Sequence, residues 1–197
     1  MLEFKLFERI AVIFLAAGLL VRSAPAQTDA VDLALVVAID VSFSVDSDEH
    51  RLQMAGFAAA LESSEVLDAI ASGPHQKISI TVFQWSGEDN QVTIVPWTTI
   101  ATDDDAKRIA SFLSRGPRSV AEGGTATASA LSFGAGRFAE APLAPRHVID
   151  ISTDGRNNSG KPVSIVRDQV VMQGITINGL AITNEWGQLA ADRKSVV

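Results

Sequence analysis

The stretch Asp32 to Asp40 (DLALVVAID) constrains the fold more than any other part of the chain. It has the length of a strand, is rich in Val and Leu, and shows no alternation of apolar and polar residues. A strand with one wet face alternates, whereas an unbroken apolar run reads as a central strand of a parallel sheet, covered on both faces. Helices must therefore lie on either side of it. The first begins near Asp46, where Asp46 and Glu49 have capping-box spacing, and Met54, Phe57, Ala58 and Leu61 recur along one helical face.

The pattern continues in the same vein. Lys77 to Trp85 (KISITVFQW) alternates and reads as a strand, and Gln91 to Val95 resumes one after a short polar turn, before Pro96. Two strands so close predict a hairpin, hence one antiparallel edge. Thr102 and Asp105 open a helix with the stripe Ala106, Ile109, Ala110 and Leu113, stopped by Gly116-Pro117. Gly123-Gly124-Thr125 leads into another, with Ala128, Leu131, Ala135 and Phe138 on one face. His147 to Ser152 is a strand, Pro162 suits the first turn of a helix bearing Val163, Val166 and Val170, and Thr176 to Ile182 is a strand again. The order predicts an α/β fold: an open, doubly wound, mostly parallel sheet with one antiparallel edge strand and helices on both faces.

Composition narrows what such a domain does. The chain of 197 residues carries 16 Lys and Arg against 23 Asp and Glu, a net charge of −7, which argues against nucleic acid as a partner. It has no cysteine, which removes thiol catalysis, iron–sulfur sites and disulfide scaffolds together. Ile10 to Val21 is an uncharged apolar run preceded by Lys5 and Arg9 and followed by Ala24-Pro25-Ala26, the pattern of a cleaved secretory leader. The run is shorter than the roughly 20 helical residues a bilayer requires. Residues 1–26 are therefore read as a signal peptide and 27–197 as one exported domain, periplasmic or secreted, with no stable membrane anchor after cleavage.

In an open α/β sheet, ligands bind beyond the carboxyl ends of the strands, where the strand order reverses. Three polar stretches are expected there: Asp40-Val41-Ser42-Phe43-Ser44 after the first strand, Thr125 before the third helix, and Ser152-Thr153-Asp154-Gly155 after the fourth strand. Alternate spacing sends Asp40, Ser42 and Ser44 to one side of an extended segment. With Thr125 and Asp154 they offer three hydroxyls and two carboxylates at one mouth of the sheet. That donor set suits a hard divalent cation such as Mg²⁺, with Mn²⁺ or Ca²⁺ as alternatives. Two carboxylates match the +2 charge, and neutral hydroxyls leave an ion able to take one more carboxylate, an Asp or Glu exposed on a partner protein.

On these residues the sequence resembles the von Willebrand factor A domain and its metal-ion-dependent adhesion site, whose motif is Asp-x-Ser-x-Ser, then a Thr, then an Asp after a later strand. The resemblance covers nearly all of 27–197, extends to an exported bacterial family of unknown function, and implies a non-enzymatic, cation-dependent protein-binding domain. It also implies one more strand and a closing helix after Ile182; residues 183–197 (TNEWGQLAADRKSVV) show neither, so the domain is expected to lack them.

Two other readings stay open. Gly155-Arg-Asn-Asn-Ser-Gly160-Lys161 has the spacing of a phosphate-binding loop, as in a nucleotide hydrolase, although Pro162 stands where that motif needs Ser or Thr and the stretch also fits a plain turn. The domain can also be a structural one whose metal only stabilises the fold. Serine hydrolysis is not supported: there is no Gly-x-Ser-x-Gly, and His50, read on the polar side of its helix, His75 and His147 have no nucleophile in register.

Overall fold

A computed structural model describes residues 30–182 of the chain. The leader read at residues 1–26, and the end of the chain where a last strand and helix are expected to be missing, lie outside the described residues. Five strands form one sheet in the order β3-β2-β1-β4-β5. Strand β1 (Leu33–Asp40) is central and pairs in parallel with both β2 (Ile78–Trp85) and β4 (His147–Thr153). Strand β3 (Gln91–Ile100) is the antiparallel edge, and β5 (Ile175–Ala181) runs parallel to β4. This is the α/β sheet that the unbroken apolar run required.

The two faces of β1 divide the core. Val37 and Ile39 pack with Met54, Ala58 and Leu61 of α1 (Ser47–Glu62), Ile70 of α2 (Ser64–Ala71), and Ala106, Ile109 and Leu113 of α3 (Asp103–Leu113). Val36 and Ala38 face the other way, onto Ala128 and Leu131 of α4 (Thr127–Arg137) and Val166 and Val170 of α5 (Val163–Val171). A run without polar alternation is thus the consequence of a strand with no wet side. The capping boxes expected at Asp46/Glu49 and Thr102/Asp105 both form.

Four details depart from the sequence reading. The first helical region is two helices, because Ser63 ends α1 in extended backbone while its hydroxyl accepts the Val66 N–H and opens α2. Strand β2 is buried along its whole length despite its alternation, with Thr81 donating to the Val95 carbonyl at 2.8 Å. Strand β3 does not stop before Pro96 but runs through it to Ile100. Proline is tolerated there because the strand is an edge and its pairing with β2 is irregular between Ile80 and Val82, opposite the proline. His50, finally, is buried and not on a polar surface.

Chain order and spatial order place the site. From β1 the chain moves outward to β2 and β3, then crosses back to β4 on the other side of β1. The strand order therefore reverses between β1 and β4, and Asp40 and Thr153 end those two strands.

Candidate metal centre

Asp40 closes β1 with its side chain fully buried, and two donors fix it. The Ser42 N–H donates to Oδ1 at 2.7 Å, folding the chain back on itself, and the Thr153 hydroxyl donates to Oδ2 at 2.7 Å from the neighbouring strand. Ser42, Phe43 and Ser44 then form a tight turn closed by the Val45 N–H on the Ser42 carbonyl at 3.0 Å. Helix α1 follows at once, its first amides satisfied by Asp46.

The other strands bring their oxygens to this turn. Thr125 Oγ1 lies 3.3 Å from Ser42 Oγ, Ser42 Oγ lies 3.2 Å from Ser44 Oγ, and the Ser44 hydroxyl donates to Asp154 Oδ1 at 2.7 Å. The five residues singled out from the sequence therefore form one connected set, in which Ser44 and Asp154 meet from 110 positions apart. Gly155 borders it: a methyl group there would stand 3.4 Å from Thr125 Oγ1 and 3.6 Å from Ser44 Oγ. Glycine keeps that side of the hydroxyls clear.

Both carboxylates titrate above the usual range. Burial is the main cause for Asp40, reinforced by the negative charge of Asp154 and opposed by hydrogen bonds from Thr153 and Ser42. For Asp154 burial again leads, with the Ser44 hydroxyl opposing it and the charge of Glu49 adding to it. Two acids are held together at a cost in the absence of a counter-charge.

The donor set fits a hard dication. Oxygens bound octahedrally at about 2.1 Å sit about 3.0 Å apart along each edge, close to the separations found among Ser42, Ser44 and Thr125. Among the described residues no three His, Cys, Asp or Glu side chains gather, so hydroxyls are what distinguishes this cluster. A purely oxygen set favours Mg²⁺, Mn²⁺ or Ca²⁺ over ions that prefer nitrogen and sulfur.

Several supporting residues escaped the sequence reading. Thr153, which the sequence offers only as part of Ser152-Thr153-Asp154-Gly155, orients Asp40. Gln53 donates to the Asp40 carbonyl at 3.3 Å and accepts from Ser152 at 2.8 Å, tying α1 to the ends of β1 and β4. The stretch Gly155–Lys161 proves to be a clamp on the Thr125 segment. Asn158 Oδ1 accepts the Thr125 N–H at 2.8 Å, and Asn157 Oδ1 accepts that of Ala128 at 3.4 Å. Pro162, which has no N–H to offer a phosphate, caps α5.

Residues 30–194 match a family described as a protein of unknown function (DUF1194). The chain belongs to this family. No curated protein matches it. Among solved structures, proximal thread matrix protein 1 (PTMP1) from the mussel byssus is 22% identical with a TM-score of 0.62, covering 85% of this chain and 41% of its own; one of its structures has a zinc-occupied MIDAS motif. The pilus adhesin SpaC from Lactobacillus rhamnosus GG aligns at 12% identity and a TM-score of 0.58, over 84% of this chain and 27% of that one. A von Willebrand factor type A protein from Catenulispora acidiphila is 24% identical over 76% of this chain and 33% of its own, with a TM-score of 0.49. This DUF1194 chain thus spans about two fifths of the PTMP1 chain. Its α/β fold is one that PTMP1 and SpaC share. No helix among the described residues is long and apolar enough to cross a membrane.

Proposed function

We propose that this domain binds a divalent cation, Mg²⁺ first, through Asp40, Ser42, Ser44, Thr125 and Asp154, and through it engages an exposed Asp or Glu of a partner protein without catalysing a reaction. The observation that carries this reading is the connected chain of oxygens from Thr125 through Ser42 and Ser44 to Asp154. Two carboxylates balance the charge of the dication and three hydroxyls add none, so affinity is left for a carboxylate from outside. The zinc-occupied motif of PTMP1 and the adhesin identity of SpaC support the same class of activity. The contact is placed outside the cytoplasm, in keeping with the leader read at residues 1–26.

A partner has a surface to meet. Phe43 projects from the turn between the two serines with 79% of its surface exposed, and it borders a recess shared with Ser44, Glu122, Gly123, Gly124, Thr125 and Asn158. An aromatic ring held in water beside the ligands gains by being covered in a complex. Phe43→Ser is expected to leave Mg²⁺ affinity unchanged and to weaken partner binding by about tenfold, the effect of losing roughly 1.4 kcal/mol. Calorimetry with Mg²⁺ alone and binding to the partner separate the two effects.

The deciding experiment is a pull-down from the envelope fraction of the producing cell, with Mg²⁺ and with excess EDTA. Capture that requires Mg²⁺ and is lost with Asp40→Asn supports the proposal. Capture that persists in EDTA removes the adhesion reading. A melting temperature raised by Mg²⁺ with no metal-dependent capture leaves a metal that only stabilises the fold.

A further inference from the structure

Beneath the oxygen cluster lies a second polar group that takes no part in holding a cation. Gln84, near the end of β2, is fully buried, and both its N–H donors and its oxygen have partners. Its Oε1 accepts the Ser119 N–H at 2.6 Å, and its Nε2 donates to the Pro117 carbonyl at 3.0 Å. These two backbone partners fix which end of the amide is nitrogen. The remaining Nε2 hydrogen points at His50 Nε2, 3.2 Å away, which must accept it. His50 is therefore neutral, with its proton on Nδ1. Burial and the nearby positive charge of Arg118 both push its pKa down and support that state.

The consequence lies in what Gln84 joins. On one side is α1, which opens directly from the Ser42–Ser44 turn. On the other is the segment Pro117 to Ala126, which carries Thr125. The same segment is pinned to the end of β2 twice more, by the Ser86 hydroxyl on the Ala121 carbonyl at 2.9 Å and by the Ala126 N–H on the Ser86 carbonyl at 3.0 Å. Between Pro117 and Ser119, Arg118 reaches across to the carbonyls of Val45 and Asp46, immediately after the serines. The Phe43 N–H closes the connection on the Gly123 carbonyl at 3.0 Å. Whatever holds residues 117–119 thus holds both hydroxyl-bearing segments in register.

We infer that Gln84, with His50 as its acceptor, is the positioning residue that sets Thr125 against the Ser42–Ser44 turn at the spacing a cation needs. This rests on the cation-binding reading above. A cation site tolerates misplacement of its ligands poorly, and groups that only orient ligands typically account for 10- to 100-fold in metal affinity.

The test is Mg²⁺ calorimetry and amide NMR on the whole chain, with Gln84→Leu, His50→Leu and His50→Gln. Gln84→Leu is expected to weaken Mg²⁺ binding by about 10- to 100-fold in protein that remains folded. His50→Leu is expected to weaken it in the same direction, and His50→Gln, whose side-chain oxygen can accept from Gln84, to restore most of the loss. A purely structural role would lower the melting temperature in these variants and leave the dissociation constant alone. Unchanged Mg²⁺ affinity in Gln84→Leu, or in His50→Leu if the former does not fold, overturns the inference while the cation site stands. If the parent protein takes no Mg²⁺, the cation reading fails instead. The clasp is then judged by the Ser42 and Thr125 amide resonances: a shift in Gln84→Leu without metal supports it, and no shift overturns it.

Discussion

Replacing Asp40 by asparagine is expected to abolish cation binding while leaving the metal-free domain at least as stable as the parent at neutral pH. Asp40 is fully buried, and its charge is opposed by burial and by Asp154. The amide keeps the shape of the carboxylate: its oxygen can still accept the Ser42 N–H, and its NH₂ can donate to the Thr153 hydroxyl, which reverses its role. What disappears is a buried negative charge next to a second acid, so the folded state loses a penalty and no hydrogen bond. The cation loses a ligand that carries half of its neutralising charge. At a free Mg²⁺ concentration of 100 times the dissociation constant, the parent gains about 2.7 kcal/mol, or roughly 5–10 °C in melting temperature for a domain of this size. Thermal melts with and without Mg²⁺ read both effects together. The parent should gain those degrees and Asp40→Asn none. A variant that gains as much as the parent removes Asp40 from the ligand set.

The residues of the candidate site were legible in the sequence, while those that hold them in place were not. Asp40, Ser42 and Ser44 stand out because charged and hydroxyl residues interrupt an apolar run at a strand end, where no packing reason calls for them. Thr125 and Asp154 stand out at the corresponding ends of later elements. Gln84 and Gln53 carry no such signal. Each sits where an apolar residue would also be expected, and its partners lie more than ten positions away in the chain. The alternation of β2 does not produce a wet face: Ser79 and Thr81 are both buried, and Thr81 is satisfied inside the protein by the Val95 carbonyl. His50 was misplaced for a different reason. It lies four positions before Met54, on the buried stripe, but its polarity outweighed its position. The break at Ser63 was missed because a serine in a helical pattern costs little until its hydroxyl is seen to cap the next helix.

The clasp and the cluster also divide the work between two kinds of polar burial. Gln84 is fully satisfied and neutral, so it can fix geometry at little cost. Asp40 and Asp154 are hydrogen-bonded acids whose ionised forms burial disfavours, a penalty that a bound cation or a proton would relieve. The sheet supports this strain because its cores on both faces of β1 are apolar and continuous up to the residue before Asp40.

Acidification should expose the same charges from the other direction. Cation binding needs both carboxylates ionised, and both titrate above the ordinary value of 3.8. Protons therefore begin to compete at a higher pH than they would at an exposed carboxylate site. Below both pKa values two protons leave for each cation bound, so affinity falls by up to about 100-fold per pH unit. Stability without metal moves oppositely: the folded state takes these protons before the unfolded chain does, so the contribution of Asp40 and Asp154 rises as pH falls from neutral towards 3.8. His50 runs against them, since its lowered pKa means the unfolded chain is protonated first and stability is lost as pH drops below 6.5. Mg²⁺ titrations across this range should therefore show affinity falling with a limiting slope near two, and Asp154→Asn should reduce that slope to near one. Affinity that stays level from neutral pH down to the ordinary carboxylate range would mean that neither acid touches the ion, and the oxygens around Ser42 would then be hydrogen-bonding partners only.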